Sequence, residues 1–151
     1  MPPIPEPSSI PEPPSRLSDE LVELRAIAEW DIPDVLIAYQ DDSSLHSSLG
    51  QPRAPTGAQL GSEVERSEAL RLAGERIAMT LVEPGRNDCR GRIEVSAFDW
   101  ARRRAELTVW VAPDFRGRGF AAHAIALVTG WLKRDVGLDH VAVMVAVDED
   151  A

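Results

Sequence analysis

Apolar and polar residues alternate in three runs through the middle of this chain. Ile77, Met79 and Leu81 form the first, Ile93, Val95 and Ala97 the second, and Ala105, Leu107, Val109 and Val111 the third. A period of two marks a strand with one buried face. The links between runs, Glu83 to Arg90 and Asp99 to Arg103, are short and polar, so the runs predict an antiparallel meander. Upstream, Leu21 to Arg25 predicts a first strand. Trp30 to Tyr39 predicts a helix with Asp31 as N-cap, Pro33 in its first turn, and Val35, Leu36 and Tyr39 on one side. Gln40 to Thr56, rich in Ser, Asp, Gly and Pro, predicts a loop, and Ala58 to Ala73 a second helix weakened by Gly61. Downstream, Ala121, Ala124, Ile125, Val128, Trp131 and Leu132 make a helical stripe that packs on a sheet. Gly137 closes that helix and His140 to Val147 predicts a last strand, giving the order β-α-α-β-β-β-α-β.

The N-terminus has a different character. Seven prolines fall in the first 14 positions, which predicts an extended tail over residues 1–18 ahead of one domain over 19–151. Such a tail is disordered, or serves as a tether or a polyproline ligand. The length of 151 residues suits a single core. No apolar run reaches the roughly 20 residues of a membrane span, and no secretory signal is visible. The one cysteine, Cys89, sits in a turn with no base beside it, and no Cys/His cluster has metal spacing. These features predict a cytoplasmic, metal-free protein.

Charge adds one further point. The net charge is −9; residues 1–75 hold 14 acids and 5 bases, and residues 76–151 hold 11 of each. An acidic surface disfavours nucleic acid and favours cationic ligands, and with no apolar span no membrane partner is expected.

The sharpest motif is Arg116-Gly117-Arg118-Gly119-Phe120-Ala121, between the third alternating run and the helix. A glycine turn entering a helix presents unpaired N–H groups and the positive end of the helix dipole, a site for phosphate. Gly117, Gly119 and Ala122 also satisfy a dinucleotide fingerprint, with Asp139 downstream for a ribose. However, Pro113 lies in a long strand-to-glycine link, and antiparallel runs precede the loop. A Gly-Lys-Ser/Thr phosphate loop is absent, and Arg-Gly-Arg-Gly stands alone rather than repeated.

The wording Arg-x-x-Gly-x-Ala after Val-x-Pro, within RRRAELTVWVAPDFRGRGFAAHAI, resembles the pyrophosphate loop of the GNAT N-acetyltransferase superfamily. It is most similar to the branch containing ribosomal-protein N-terminal acetyltransferases. The resemblance covers about residues 19–150. It implies an α+β, three-layer fold: a mixed, mostly antiparallel twisted sheet flanked by helices. It implies acetyl-CoA as cofactor, held by the backbone of Arg116, Gly117, Arg118, Gly119, Phe120 and Ala121. The Arg116 and Arg118 side chains would add contacts to phosphate. The main chain of Val109, Trp110 and Val111 would pair with pantetheine where the last two strands splay, and Trp110 suggests a bulge.

The implied reaction is direct transfer of acetyl to a primary amine, either a protein N-terminus or a small cationic amine. Glu106 is the expected base. Glu94 would share its face as a solvated or helix-covered residue, and His46, His123 and His140 carry no expected role. Family members continue past the last strand with an Asn-containing turn, a helix and two strands, whereas this chain ends at Ala151. The resemblance thus implies a domain lacking those elements, with a partner chain such as a homodimer supplying them, or a truncated product. A non-catalytic remnant that binds coenzyme A or a protein is the alternative.

Overall fold

The computed structural model describes residues 9–14 and 17–146. Its centre is the meander: β3 (Ile77–Val82), β4 (Gly91–Asp99) and β5 (Arg104–Val111), with Met79 opposite Ile93 and Ile93 opposite Val109. Adding β1 (Leu17–Ser18), β2 (Glu23–Ala26) and β6 (His140–Val145) makes six strands lying side by side in chain order. Every neighbour is antiparallel except β5 and β6, which run parallel from Arg104 opposite His140 to Val109 opposite Val145. A parallel pair needs a crossover. Here it is α4 (Phe120–Trp131), continued by a wider turn over Leu132–Val136 and stopped at Gly137, whose φ is 87°.

The sequence reading is amended in several places. The first strand is a hairpin rather than one piece. Asp19 accepts the N–H groups of Leu21 at 2.8 Å and Val22 at 2.9 Å, so Leu21 belongs to a turn. The first helix, α1, is Ile32–Asp41, with Pro33 in its opening turn. Asp31 does not cap it. Its carboxylate, fully buried, instead accepts from Arg25 at 2.6 and 3.0 Å, the Thr80 hydroxyl at 2.7 Å and the Ala28 N–H at 3.0 Å. The expected loop holds a short helix, α2 (Leu45–Ser48), pinned by fully buried Leu45. The next helix, α3, is Gly57–Leu72 and starts at a reciprocal cap. Thr56 Oγ1 accepts from the Gln59 N–H and Gln59 Oε1 from the Thr56 N–H, at 3.1 and 2.9 Å. Trp110 makes no bulge. The β4–β5 register is regular from Gly91 to Ser96 and slips only between Ser96 and Asp99, where Ala97 has φ 52°.

The sheet is covered on both faces. Ala105, Leu107, Val109 and Val111 of β5 join Ala124, Val128 and Trp131 of α4 in the larger core. Trp110 points the other way, into a second core with Val35, Ala38 and Tyr39 of α1 and Leu60 of α3. The Tyr39 and Trp110 rings meet edge to face at 5.9 Å. Gly91 is required by proximity, since a Cβ there would lie 2.3 Å from the Trp110 carbonyl oxygen.

The expected disordered tail over residues 1–18 is corrected where it is described; residues 1–8, 15 and 16, like Val147 of the last strand, lie outside the described residues. Ile10 is fully buried within the larger core. Its N–H donates to the Arg71 carbonyl at 2.9 Å, and its carbonyl accepts from the Arg71 guanidinium at 2.6 Å. One apolar side chain between prolines is enough to anchor the segment. Ile10→Ala should lower the unfolding free energy by about 2–5 kcal/mol, read from the denaturant midpoint. An unchanged midpoint would detach residues 9–14 from the domain.

Candidate functional site

Beyond β5, the chain passes a turn at Pro113–Phe115 and enters α4 through Gly117 and Gly119, with φ of 77° and 88°. These left-handed conformations suit glycine and turn successive amides outward at the helix entry. Gly119 offers no side chain to cap the helix. Among the described residues, no acceptor is hydrogen-bonded to the N–H groups of Gly117 through Ala122; the first helical bond is His123 N–H to Gly119 C=O at 3.0 Å. The result is a cradle of main-chain donors at the positive end of a 12-residue helix. Phe120 is buried beneath it and Ala121 half-buried. The β1–β2 turn walls one side, with Leu21 within 3.4 Å of a Cβ placed on Gly119 and Asp19 bonded to His123 Nδ1 at 2.7 Å.

The two arginines of the motif differ. Arg118 is exposed and lies over the Phe115 ring at 4.9 Å, with Arg90 at 3.9 Å from the same ring. Arg116 folds back: its Nε donates to the Val111 carbonyl at 2.9 Å and its Nη2 to Asp42 at 2.7 Å. In this conformation its guanidinium ties the glycine loop to the end of α1. Ser44 and then Arg116 hold the Asp42 carboxyl below its usual range, against the opposing effect of burial.

The three β5 residues expected to face pantetheine are largely engaged here. The Val109 carbonyl accepts the Ala146 N–H at 3.0 Å, Trp110 pairs with Arg92 on β4, and the Val111 carbonyl holds Arg116.

On the other side of Trp110, between the sheet, α1 and α3, lies a cavity of about 710 Å³. Its floor is ionic. Arg76 bridges Glu63 and Glu94, with Nε 2.6 Å from Glu94, and Arg92 Nη1 reaches Glu63 at 3.1 Å. Burial pushes the Glu94 carboxyl up, and the Arg76 charge only partly offsets it. Tyr39 donates to Gln51 at 2.9 Å at the wall, and burial raises its phenol.

The sequence reading missed Arg92 and placed Glu94 outside the site. A usable signal was present: Arg92, Glu94 and Ser96 alternate with Ile93 and Val95 on a central strand, where a polar face beneath helices must line a cavity. Glu106, the expected base, shares that face but is exposed. It opens on a separate recess with Arg104 and His140. Cys89 is buried, with its Sγ 3.4 Å from the Gly91 carbonyl oxygen, and burial pushes its thiol up to about 11, so it is no nucleophile.

A mixed sheet with a parallel final pair thus carries a phosphate-type cradle at the entry of its crossover helix. A model of the acetyltransferase (GNAT) domain family matches residues 22–151, and the chain belongs to that family. The cofactor of the family is acetyl-CoA, and the open amides of Gly117 to Ala122 fit its pyrophosphate. No curated protein matches.

Among solved structures, the chain is similar to the ribosomal L7/L12 alpha-N-protein acetyltransferase RimL, with 17% identity and TM-score 0.70 over 83% of this chain and 67% of that one. It is similar to the Salmonella typhimurium acetyltransferase that modifies the N-terminal serine of ribosomal protein L7/L12, with 19% identity and TM-score 0.65 over 78% and 67%. It is also similar to the microcin C7 self-immunity acetyltransferase MccE in complex with acetyl-CoA and AMP, with 17% identity and TM-score 0.66 over 80% and 66%. Identities this low carry the fold alone.

The wall of the cradle has a pH signature. The Asp19 carboxyl is disfavoured by burial, but the Val22 and Leu21 amides and His123 outweigh this and hold it below its usual 3.8. That stability is present above the unfolded value and lost as pH falls through the lowered folded one. The stability gap between the wild-type chain and Asp19→Asn should therefore narrow as pH drops below about 4, measured by urea melts. A gap independent of pH would mean that the carboxylate charge adds nothing.

Proposed function

We propose that the chain transfers an acetyl group from acetyl-CoA to a primary amine by direct attack. The observation that carries this reading is the row of amides at the α4 entry with no acceptor among the described residues, just beyond the strand whose Trp110 lines the ionic cavity. The pyrophosphate would sit on the Gly117 to Ala122 amides, with Arg118 and Arg90 as nearby cations. Acetyl-CoA supplies the activated thioester. The chain's own residues hold the donor, admit the amine and take its proton.

We assign the base to Glu94. Its carboxylate lines the cavity, and its raised affinity for protons suits a group that must accept one near neutral pH. Glu63, the other carboxylate in the lining, is divided between Arg76 and Arg92. Some structural neighbours act on a ribosomal-protein N-terminus, which supports an amine acceptor of that kind.

Calorimetry with acetyl-CoA tests the cradle. Gly119→Glu, which puts a carboxylate where phosphate should lie, should abolish binding. Arg118→Glu, at an exposed position that does not perturb the backbone, should weaken it about tenfold or more. Tight binding by both variants would end the reading. For the base, kcat/KM should fall on the acid side with an apparent pKa above the ordinary 4.3 or so of glutamate, and Glu94→Gln should lose about 10²–10⁴-fold. The same loss in Glu106→Gln, with Glu94→Gln active, would move the base to Glu106.

A further inference from the structure

We propose that the cavity beside Trp110 selects an acceptor amine that also carries an anionic group, a carboxylate or a phosphate, recognised by Arg92. The amine half of this statement rests on the acetyl-transfer reading; the anion half does not.

Arg92 is 6% exposed on the floor of the cavity. One of its nitrogens pairs with Glu63, while Nε and Nη2 are buried with no hydrogen-bond partner. A guanidinium has five N–H groups, and each buried donor left unsatisfied costs about 1–3 kcal/mol. Most buried polar groups are satisfied in native folds, so a half-satisfied guanidinium in a cavity wall marks a place where a ligand completes the set. Its planar fork suits two-pronged recognition of carboxylate or phosphate.

The local charge agrees. The cavity is lined by Arg53, Arg66, Arg76 and Arg92 against Glu63 and Glu94, a surplus of two positive charges. The chain as a whole carries −9. A concave, partly dry site is governed by its own lining rather than by the distant surface. The aggregate acidity suggested a cationic acceptor, and the lining reverses that expectation: a simple polyamine would be repelled here.

The spacing sets a size. Arg92 and Glu94 share a face of β4 two residues apart, about 7 Å along the strand. An amine delivered to Glu94 with its anion at Arg92 is therefore a compact molecule or chain end. The two charges lie a few bonds apart, as in an amino acid or an aminoalkyl phosphate.

The test compares matched probes on the full chain by calorimetry without coenzyme A: phosphoethanolamine against ethanolamine, and β-alanine against β-alaninamide. The anionic member of at least one pair should bind about tenfold tighter or more, and the pair showing the larger gap tells phosphate from carboxylate. Arg92→Gln should erase the gap. Glu63→Gln, which retains Arg92 and frees the nitrogen now paired, should widen it, so the inference stays testable if Arg92→Gln fails to fold. Equal binding within both pairs, or tighter binding of the neutral members, would overturn the proposal. An anion preference that vanishes in Arg92→Gln in a chain that does not bind acetyl-CoA would keep this site and remove the acetyl-transfer reading. Acetyl-CoA binding with no anion preference would do the reverse.

Discussion

The placement of α1 against the sheet depends on one buried carboxylate. Asp31 receives four donors, from Arg25, Ala28 and Thr80, and sees no solvent. Arg25 lies on β2 and Thr80 on β3, so this one group fixes the start of α1 against two strands. Arg25 also donates to the Asn87 side chain at 2.7 Å and to the Asn87 carbonyl at 2.9 Å, which brings the β3–β4 loop into the same knot. A buried charge that lost its partner would cost about 3–5 kcal/mol, so the arrangement is steeply specified. With its first turn fixed, α1 delivers Val35 and Tyr39 to the cavity wall and Asp42 to Arg116.

The two halves of the site are thereby mechanically joined. Asp42 lies just beyond the end of α1, and its partner Arg116 stands at the mouth of the glycine loop with its Nε on the Val111 carbonyl. The cradle is thus braced by the helix that lines the ionic cavity. The two faces of β5 divide at Trp110: its side chain packs on Tyr39, while its neighbours Val109 and Val111 point into the core beneath α4.

Much of the architecture was legible because it is written in local periods. The three alternating runs became β3, β4 and β5, and the Ala121 to Leu132 stripe became α4. The glycine loop was legible because positive φ at Gly117 and Gly119 leaves few alternatives. What escaped was set by partners far along the chain. Asp31 resembles an N-cap in isolation, and only the folded sheet supplies Arg25 and Thr80. Ile10 among prolines carries no periodicity, and its burial depends on Arg71, 61 residues away. Glu94 read as solvated or helix-covered and Arg92 drew no reading, because the helices covering them come from elsewhere in the sequence. Net charge is uninformative here for a related reason: a total says nothing about which arginines gather around one cavity.

Cys89 gives this architecture a built-in reporter. It is the sole thiol of the chain, buried in the cluster that holds Tyr39 and Trp110, with its N–H on Asp34 at 3.2 Å. A thiol pushed up to about 11 and shielded from solvent is inert to alkylating reagents while the fold is closed. Its labelling rate therefore times the opening of the α1 side of the molecule, without any engineered probe, and a molecule that fills the neighbouring cavity will slow that clock.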